Sequence, residues 1–302
     1  MMNADLHCHS TVSDGQFAPA DVARRAHAGG VTLWALTDHD ELAGQREARE
    51  AAAELGMSYV SGVEISVTWA ARTVHIVGLG IDPTSSVLID GLARTRNGRA
   101  ARAEAIGEQL ATLGIPDAYQ GALKYVSNPD MISRTHFARF MVESGYASST
   151  QDVFNRYLGD GKPGYVSHRW AKLADAVGWI KAAGGEAIIA HPGRYAYSPV
   201  EFDAFFAEFI DLGGKAIEVV TGSLTPDQYR EYADVARRFG FEASRGSPST
   251  RPVRAASNWA RCRRFLPISN PSGNAGCERA PCPCGTSRAG AGRLRARPAD
   301  SP

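Results

Sequence analysis

Short apolar runs that stop at a histidine or a carboxylate recur along the first two thirds of this chain, and nothing else in it constrains the fold as strongly. The run at 31–36 leads to Asp38-His39-Asp40, 57–63 to Glu64, 72–74 to His75, 186–190 to His191, and 216–217 to Glu218. Helix-like stretches lie between them. One covers 20–29, opened by Pro19 and closed at Gly29-Gly30, and another 43–55, closed at Gly56. Strand-like and helix-like segments in alternation predict an α/β fold with parallel strands. If such strands close into a barrel, residues just past their C-terminal ends gather on one face. Closure would then bring together His7, His9, His39, Glu64, His75 and His191.

The rhythm breaks over 93–163. A continuous helical pattern runs over 93–114, and further helical segments start near His136 and Asp152. Alternation resumes with a helix at 171–183, a strand at 186–190, a helix at 202–212, a strand at 216–220, a helix at 226–239 and a short strand at 241–244. The expected organisation is a barrel from 1–92 and 164–247, a helical insertion at 93–163, and a separate tail at 248–302.

The start of the chain reads Asp5-Leu6-His7-Cys8-His9-Ser10. In extended form, alternate side chains share a face, so His7 and His9 point the same way. Asp14 follows in a turn. Imidazole and carboxylate donors suit Zn, Mn or Fe better than an ion that prefers oxygen alone. Any single histidine also has a plainer reading as a satisfied polar residue; the repetition of such residues after apolar runs argues against it for the set.

Composition excludes several classes. No apolar stretch reaches the ~18 residues of a membrane span, and the N-terminus lacks the basic start and apolar run of a secretory signal. Cys8 is the only cysteine before residue 248, which fits a reducing compartment, and a cytoplasmic location is expected. Residues 248–302 hold ten Arg and no Lys against Glu278 and Asp300, a net charge of +8, which leaves −7 for the rest of a chain totalling +1. An acidic body does not suggest a duplex DNA binder. The tail carries Cys262, Cys277, Cys282 and Cys284 without the paired spacing of a zinc ribbon. Its composition reads as a disordered segment, with RNA contact through its arginines as the competing reading.

Together these motifs resemble the polymerase and histidinol phosphatase (PHP) superfamily of metal-dependent phosphoesterases. The resemblance rests on the opening Asp-Leu-His-Cys-His-Ser with Asp14-Gly15, on Thr37-Asp38-His39-Asp40, Gly62-Val63-Glu64, His75-Ile76-Val77-Gly78 and Ile189-Ala190-His191-Pro192. Segments 132–139 and 157–166 resemble the branch containing 3′,5′-nucleoside bisphosphate phosphatases and 5′-3′ RNA-trimming enzymes. The resemblance implies a distorted (β/α)7 barrel with an inserted helical subdomain. It also implies two to three divalent ions, manganese foremost, with iron or zinc as alternatives. His7 and His9 would hold the first ion, Glu64 would bridge the first and second, His75 and His191 would complete the second, and Asp14 and His39 would hold the third. Such ions lower the pKa of a bound water and neutralise phosphoryl oxygens, so no covalent protein nucleophile is needed.

Arg134 and His136 are the first candidates for substrate-phosphate contact, with Lys162, Arg169 and Arg194 behind them; guanidinium offers phosphate paired donors, which ranks Arg134 above Lys162. The plainer reading for each cation is a solvated charge. Glu218 reads as support for a ligand or a strand end, His27 as surface, and His168 as support for a ligand or a loop residue. The implied substrates are a nucleoside 3′,5′-bisphosphate or short single-stranded RNA, with no membrane or duplex DNA as partner. Histidinol-phosphate phosphatase is the enzyme alternative, disfavoured by the insertion. A catalytically weakened metal-binding protein is the other.

That last reading comes from one departure. Family members carry Gly-Ser-Asp-Phe-His, whose Asp and His bind the first and third metals; here Gly246-Ser247 is followed by Pro248-Ser249-Thr250-Arg251-Pro252, and no histidine occurs after His191. Out-of-frame reading of GC-rich DNA is our hypothesis for both the replacement and the tail's composition. An uninterrupted frame in the coding DNA of close relatives would overturn it.

Overall fold

The structure, a computed structural model, describes residues 3–247; the expectations for the arginine-rich tail and its four cysteines lie outside the described residues. Two sheets organise the chain. Strands β1 (Ala4–Asp5), β2 (Leu33–Trp34) and β3 (Ser58–Tyr59) form a parallel three-stranded sheet, with α1 (Pro19–Ala28) and α2 (Gln45–Glu54) as the crossovers. Both helices present alanines inward: Ala23, Ala26, Ala48, Ala51 and Ala52 pack with Trp34, Leu36 and Cys8. Small side chains let the helices settle close to the strands.

The second sheet has the order β4 (Gly62–Trp69), β5 (Arg72–Leu79), β6 (Glu186–Ile189), β7 (Ala216–Thr221), β8 (Glu242–Gly246). Strands β6, β7 and β8 are parallel, as expected, but β4–β5 and β5–β6 pair antiparallel, which corrects the expectation of parallel strands throughout. The reason is a two-residue hairpin turn at Ala70-Ala71, both with positive φ (44° and 61°). Such turns usually carry Asn-Gly, so the sequence gives no sign of this one.

Between β5 and β6 run α3 (Ser86–Arg96), α4 (Arg99–Thr112), α5 (Ala118–Leu123), α6 (Arg134–Glu143), α7 (Thr150–Val153) and α8 (Leu173–Ala182); α9 (Pro199–Asp211) and α10 (Pro226–Phe239) connect the later strands. The single helix expected over 93–114 is two helices, because Asn97 leaves the helical region and Gly98 takes a left-handed φ of 92°. From α4 to the turn after α7, Ile106, Leu110, Phe137, Met141, Val153 and Leu158 form a core of their own.

Alternation along β4 sorts the rest. Val63, Ile65 and Val67 face a large core with Val74, Ile76, Ile180, Phe205, Phe206 and Phe209, where each fully buried side chain of this size stabilises by about 1.5–3 kcal/mol. Glu64 and Ser66 point to the opposite face. That face and the small sheet enclose an inner core of Leu6, Leu33, Ala35, Val60, Val77, Leu79, Ile188, Ala190 and Ala216. The two sheets touch at two seams. Leu6 N donates to Arg245 O (3.0 Å), while Asp40 N donates to Glu64 O (2.8 Å) and Glu64 N to Asp38 O (3.2 Å). The described strands form two sheets rather than a closed barrel. No described helix is long and apolar enough to cross a membrane.

Candidate metal centre

The inner core ends where its strands do, and the residue after each apolar run turns over its open end. His7 follows Leu6, His191 follows Ala190, and Glu64 stands one strand from His75, which faces Ser66 in register. The result is five imidazoles around one carboxylate. Glu64 Oε2 lies 3.2 Å from His7 Nε2, 3.2 Å from His9 Nε2 and 3.0 Å from His39 Nδ1. Its Oε1 lies 3.1 Å from His75 Nδ1 and 2.9 Å from His191 Nε2. Asp14 Oδ2 approaches His39 Nε2 at 4.0 Å. Glu64, His7 and His191 are buried, whereas the side chains of Asp14, His39 and His75 retain 13–20% exposure. The open side of the cluster is therefore the side of Asp14, His39 and His75.

Proximity is not satisfaction. His7 Nε2, His9 Nδ1, His39 Nδ1, His191 Nδ1 and Glu64 Oε2 are buried with no hydrogen-bond partner, and each unpaired buried polar atom costs about 1–3 kcal/mol. Cations answer such a need. Three overlapping groups, His7-His9-Glu64, His9-Asp14-His39 and His39-Glu64-His75, bring ligand atoms within 4.8 Å of one another. Mixed nitrogen and carboxylate donors fit first-row divalent metals.

Protonation agrees. Burial alone would raise Glu64, but His39, His7 and His75 outweigh it and hold the carboxyl well below its usual range. Asp14 is likewise low despite burial, through His39 and His9. Burial pushes His39 down to about 4 and His191 well below its ordinary value. His7 and His9 go the other way: against burial, Glu64 and Glu218 raise His7 to about 10, and Glu64 and Asp14 raise His9. Ionised carboxylates and neutral imidazoles are the forms that bind metal, so an ion at His7 and His9 would displace their protons.

Supporting groups fix the ring orientations. Glu218 Oε1 sits 2.8 Å from His7 Nδ1 and its Oε2 accepts from His191 N at 2.6 Å, so one buried carboxylate positions two of the five histidines. His191 adopts φ 29°, a left-handed conformation costing a non-glycine residue about 1–3 kcal/mol. Tyr195 Oη accepts from His75 N (2.9 Å) and donates to Ala190 O (2.8 Å), tying β5 to the end of β6. Asp38 accepts from Ser10 N, Ser10 Oγ and Ser13 Oγ at 2.6–2.7 Å, which shapes the loop carrying Asp14.

The cations expected at substrate phosphate divide. His136 is buried near Asp14, lowered to about 4 by burial, and its Nδ1 accepts from Ser133 N at 3.0 Å as part of the cap of α6. Arg134 is half-buried, bonded to Leu158 O (3.0 Å) and Asp160 (3.3 Å). Arg194 is exposed, close enough to help depress His191. Lys162 and Arg169 are exposed, with no side-chain hydrogen bond or ion pair recorded for either among the described residues. His27 lies on the surface of α1, and His168 stacks edge-on to Trp170 at 4.2 Å. Sequence reasoning missed Arg139, which donates to the Asp14 carbonyl from α6, and the buried pair Arg99–Asp40. Only the position of Asp40 beside His39 hinted at the latter.

Comparison with known proteins follows this geometry. Residues 5–158 match the family model of the PHP domain. The chain is 47% identical over 271 residues to a 3′,5′-nucleoside bisphosphate phosphatase of Chromobacterium violaceum, covering 90% of this chain and 95% of the relative. It is 40% identical over 250 residues to a 5′-3′ exoribonuclease of Escherichia coli, covering 82% and 85%. The solved structure of an amidohydrolase from Chromobacterium violaceum, with bound sulfate and no metal, matches with a TM-score of 0.81 at 49% identity, covering 83% of this chain and 88% of that one. The chain belongs to the PHP domain family of metal-dependent phosphoesterases.

Proposed function

We propose that this chain removes the 3′-phosphate of nucleoside 3′,5′-bisphosphates and, at the same centre, trims short single-stranded RNA from its 5′ end. The observation that carries the reading is the set of unpartnered buried nitrogens around Glu64, opening toward Asp14, His39 and His75. His7 and His9 are proposed to hold one divalent ion, Glu64 to bridge it to a second held by His75 and His191, and Asp14 with His39 to hold a third. Manganese is the proposed metal. When bound, these ions supply an activated water and neutralise phosphoryl charge. Glu218 keeps the His7 ring aimed and holds the His191 backbone, Arg134 and His136 orient the phosphate, and Arg194, Lys162 and Arg169 steer it from the rim.

In the same reading the two sheets, hydrogen-bonded at their seams, are the family's distorted barrel, residues 93–163 are an insertion that walls the substrate cleft, and the chain works in the cytoplasm. A second reading is favoured by the sequence after Ser247, where the family's Asp and His are absent: a metal-binding protein with weak turnover. Phosphate release from adenosine 3′,5′-bisphosphate by the manganese-loaded chain, with histidinol phosphate alongside, tests both. Turnover of the bisphosphate alone supports the proposal. Preference for histidinol phosphate overturns it, and metal binding without turnover of either establishes the second reading.

A further inference from the structure

A cavity of about 430 Å³ lies behind the loop that carries Asp14, outside the cluster around Glu64. Thr11, Gly15 and Gln16 of that loop line it together with Tyr125, Arg139 and Glu143 of the helical segment. Its volume is that of a small-molecule site, which ranges over about 300–1,000 Å³. Asp14 stands between the two spaces. Its carboxylate approaches His39 at 4.0 Å and is hydrogen-bonded by Thr135, while its carbonyl accepts from Arg139 in the cavity wall. Helix α6 therefore passes from the centre, at Thr135 and His136, to the cavity, at Arg139 and Glu143. It rises about 12 Å between Thr135 and Glu143. A ligand that reaches both places must extend well beyond the group held at the metals.

The walls are fixed before any ligand arrives. Tyr125 Oη donates to Glu143 Oε2 at 2.6 Å, and its backbone N–H donates to Ala122 O at 3.0 Å, so the ring is tied to both α5 and α6. The facing loop is tight: Thr11 N donates to Phe17 O at 2.9 Å and Gly15 N to Ser10 O at 2.8 Å. A Cβ at Gly15 would lie 2.4 Å from His9 O, so only glycine lets the loop close this far. Charge in the cavity is balanced, with one guanidinium already bonded to the Asp14 carbonyl and one carboxylate already bonded to Tyr125. That setting does not call for a second phosphate. An aromatic ring beside the amide of Gln16 and the hydroxyl of Thr11 suits a flat, neutral heterocycle with donors and acceptors of its own, which is the chemistry of a nucleobase.

We propose that this cavity binds the nucleoside on the 3′ side of the bond cleaved in RNA, with its base stacked on Tyr125, and that a nucleoside 3′,5′-bisphosphate, which has nothing beyond its 3′-phosphate, leaves it empty. This rests on the phosphoesterase reading above. The test compares kcat/KM for 5′-phosphorylated diadenylate and for adenosine 3′,5′-bisphosphate in manganese-loaded wild type, Y125F, Y125L and Y125A, with thermal denaturation as the check on folding. Y125A should lower the dinucleotide-to-bisphosphate ratio by about 10- to 100-fold, chiefly through KM, the effect of losing one stacked base. Y125L, bulky but without an aromatic face, should follow Y125A. Y125F keeps the face, loses only the bond to Glu143, and should retain most of the ratio. Equal losses on both substrates would make Tyr125 a prop for the Asp14 loop, and no loss would leave the cavity without a part in RNA binding; either result overturns the proposal. So does a wild type that cleaves the bisphosphate but not the dinucleotide. If wild type hydrolyses neither substrate, the phosphoesterase reading fails and binding alone decides the cavity. Calorimetry on the same manganese-loaded proteins should then show the dinucleotide held more tightly than adenosine 5′-monophosphate by wild type and equally by Y125A; equal affinities in wild type would overturn the proposal. If Y125A does not fold, Y125L carries both measurements.

Discussion

At the scale of single residues, Glu64 and Glu218 do opposite jobs with the same chemistry. Glu64 faces five imidazoles and cannot satisfy them all, whereas Glu218 makes two short, well-directed bonds, to His7 Nδ1 and His191 N. The first carboxylate waits for cations, and the second fixes the His7 ring and the His191 backbone beside them. Glu218→Gln should therefore weaken metal binding by about 10- to 100-fold while leaving Glu64 in place, read by competition with a chromogenic chelator; an unchanged affinity would leave Glu218 with a packing role only. The ligand residues were legible in the sequence because His-x-His, Glu64, His75 and His191 each stand at the end of an apolar run. Arg99 and Arg139 were not, since what distinguishes them is the buried Asp40 near one and the Asp14 carbonyl near the other. Neither fact is local in sequence.

At the scale of elements, the parallel strands and the helices at α1, α2, α9 and α10 follow from period and punctuation, with Pro226–Phe239 read to its ends. The hairpin at Ala70-Ala71 does not, because alanine carries no turn signal and adopts its left-handed conformation only under tertiary constraint. An L-residue in that region costs roughly 1–2 kcal/mol. Replacing Ala70-Ala71 by Asn-Gly should thus stabilise the chain by about 1–2 kcal/mol in denaturant unfolding without altering activity; a loss of stability would mean the strands need another register. Gly246 makes the opposite case. A Cβ there would lie 2.2 Å from His7 Cβ and 2.8 Å from its backbone N, at the seam between β8 and the end of β1. Gly246→Ala should cost about 1–3 kcal/mol by overpacking and displace His7, so chemical denaturation and metal content should fall together. Loss of stability with full metal content would separate the seam from the site.

At the scale of the whole molecule, two sheets and a segment of helices enclose one polar cluster that the metal-free chain leaves unsatisfied. Binding energy at that cluster adds to folding energy wherever the native state alone binds the ion. Metal held a hundredfold above its Kd contributes about 2.7 kcal/mol, which corresponds to a Tm rise of about 4 °C for a chain of this size. Dialysis against a chelator should lower Tm by that amount and re-addition of manganese should restore it. The α/β class and the helical break after β5 were readable from alternation alone; that the strands divide into two sheets joined at Leu6–Arg245 and Asp40–Glu64 was not, since seam geometry depends on which ends meet. The central claim is that Glu64 organises a multi-metal centre, and elemental analysis of manganese-loaded wild type and Glu64→Gln tests it most directly. Wild type should retain at least two ions per chain after desalting and the folded variant fewer than one. Equal metal in both, or none in the wild type, would contradict the account.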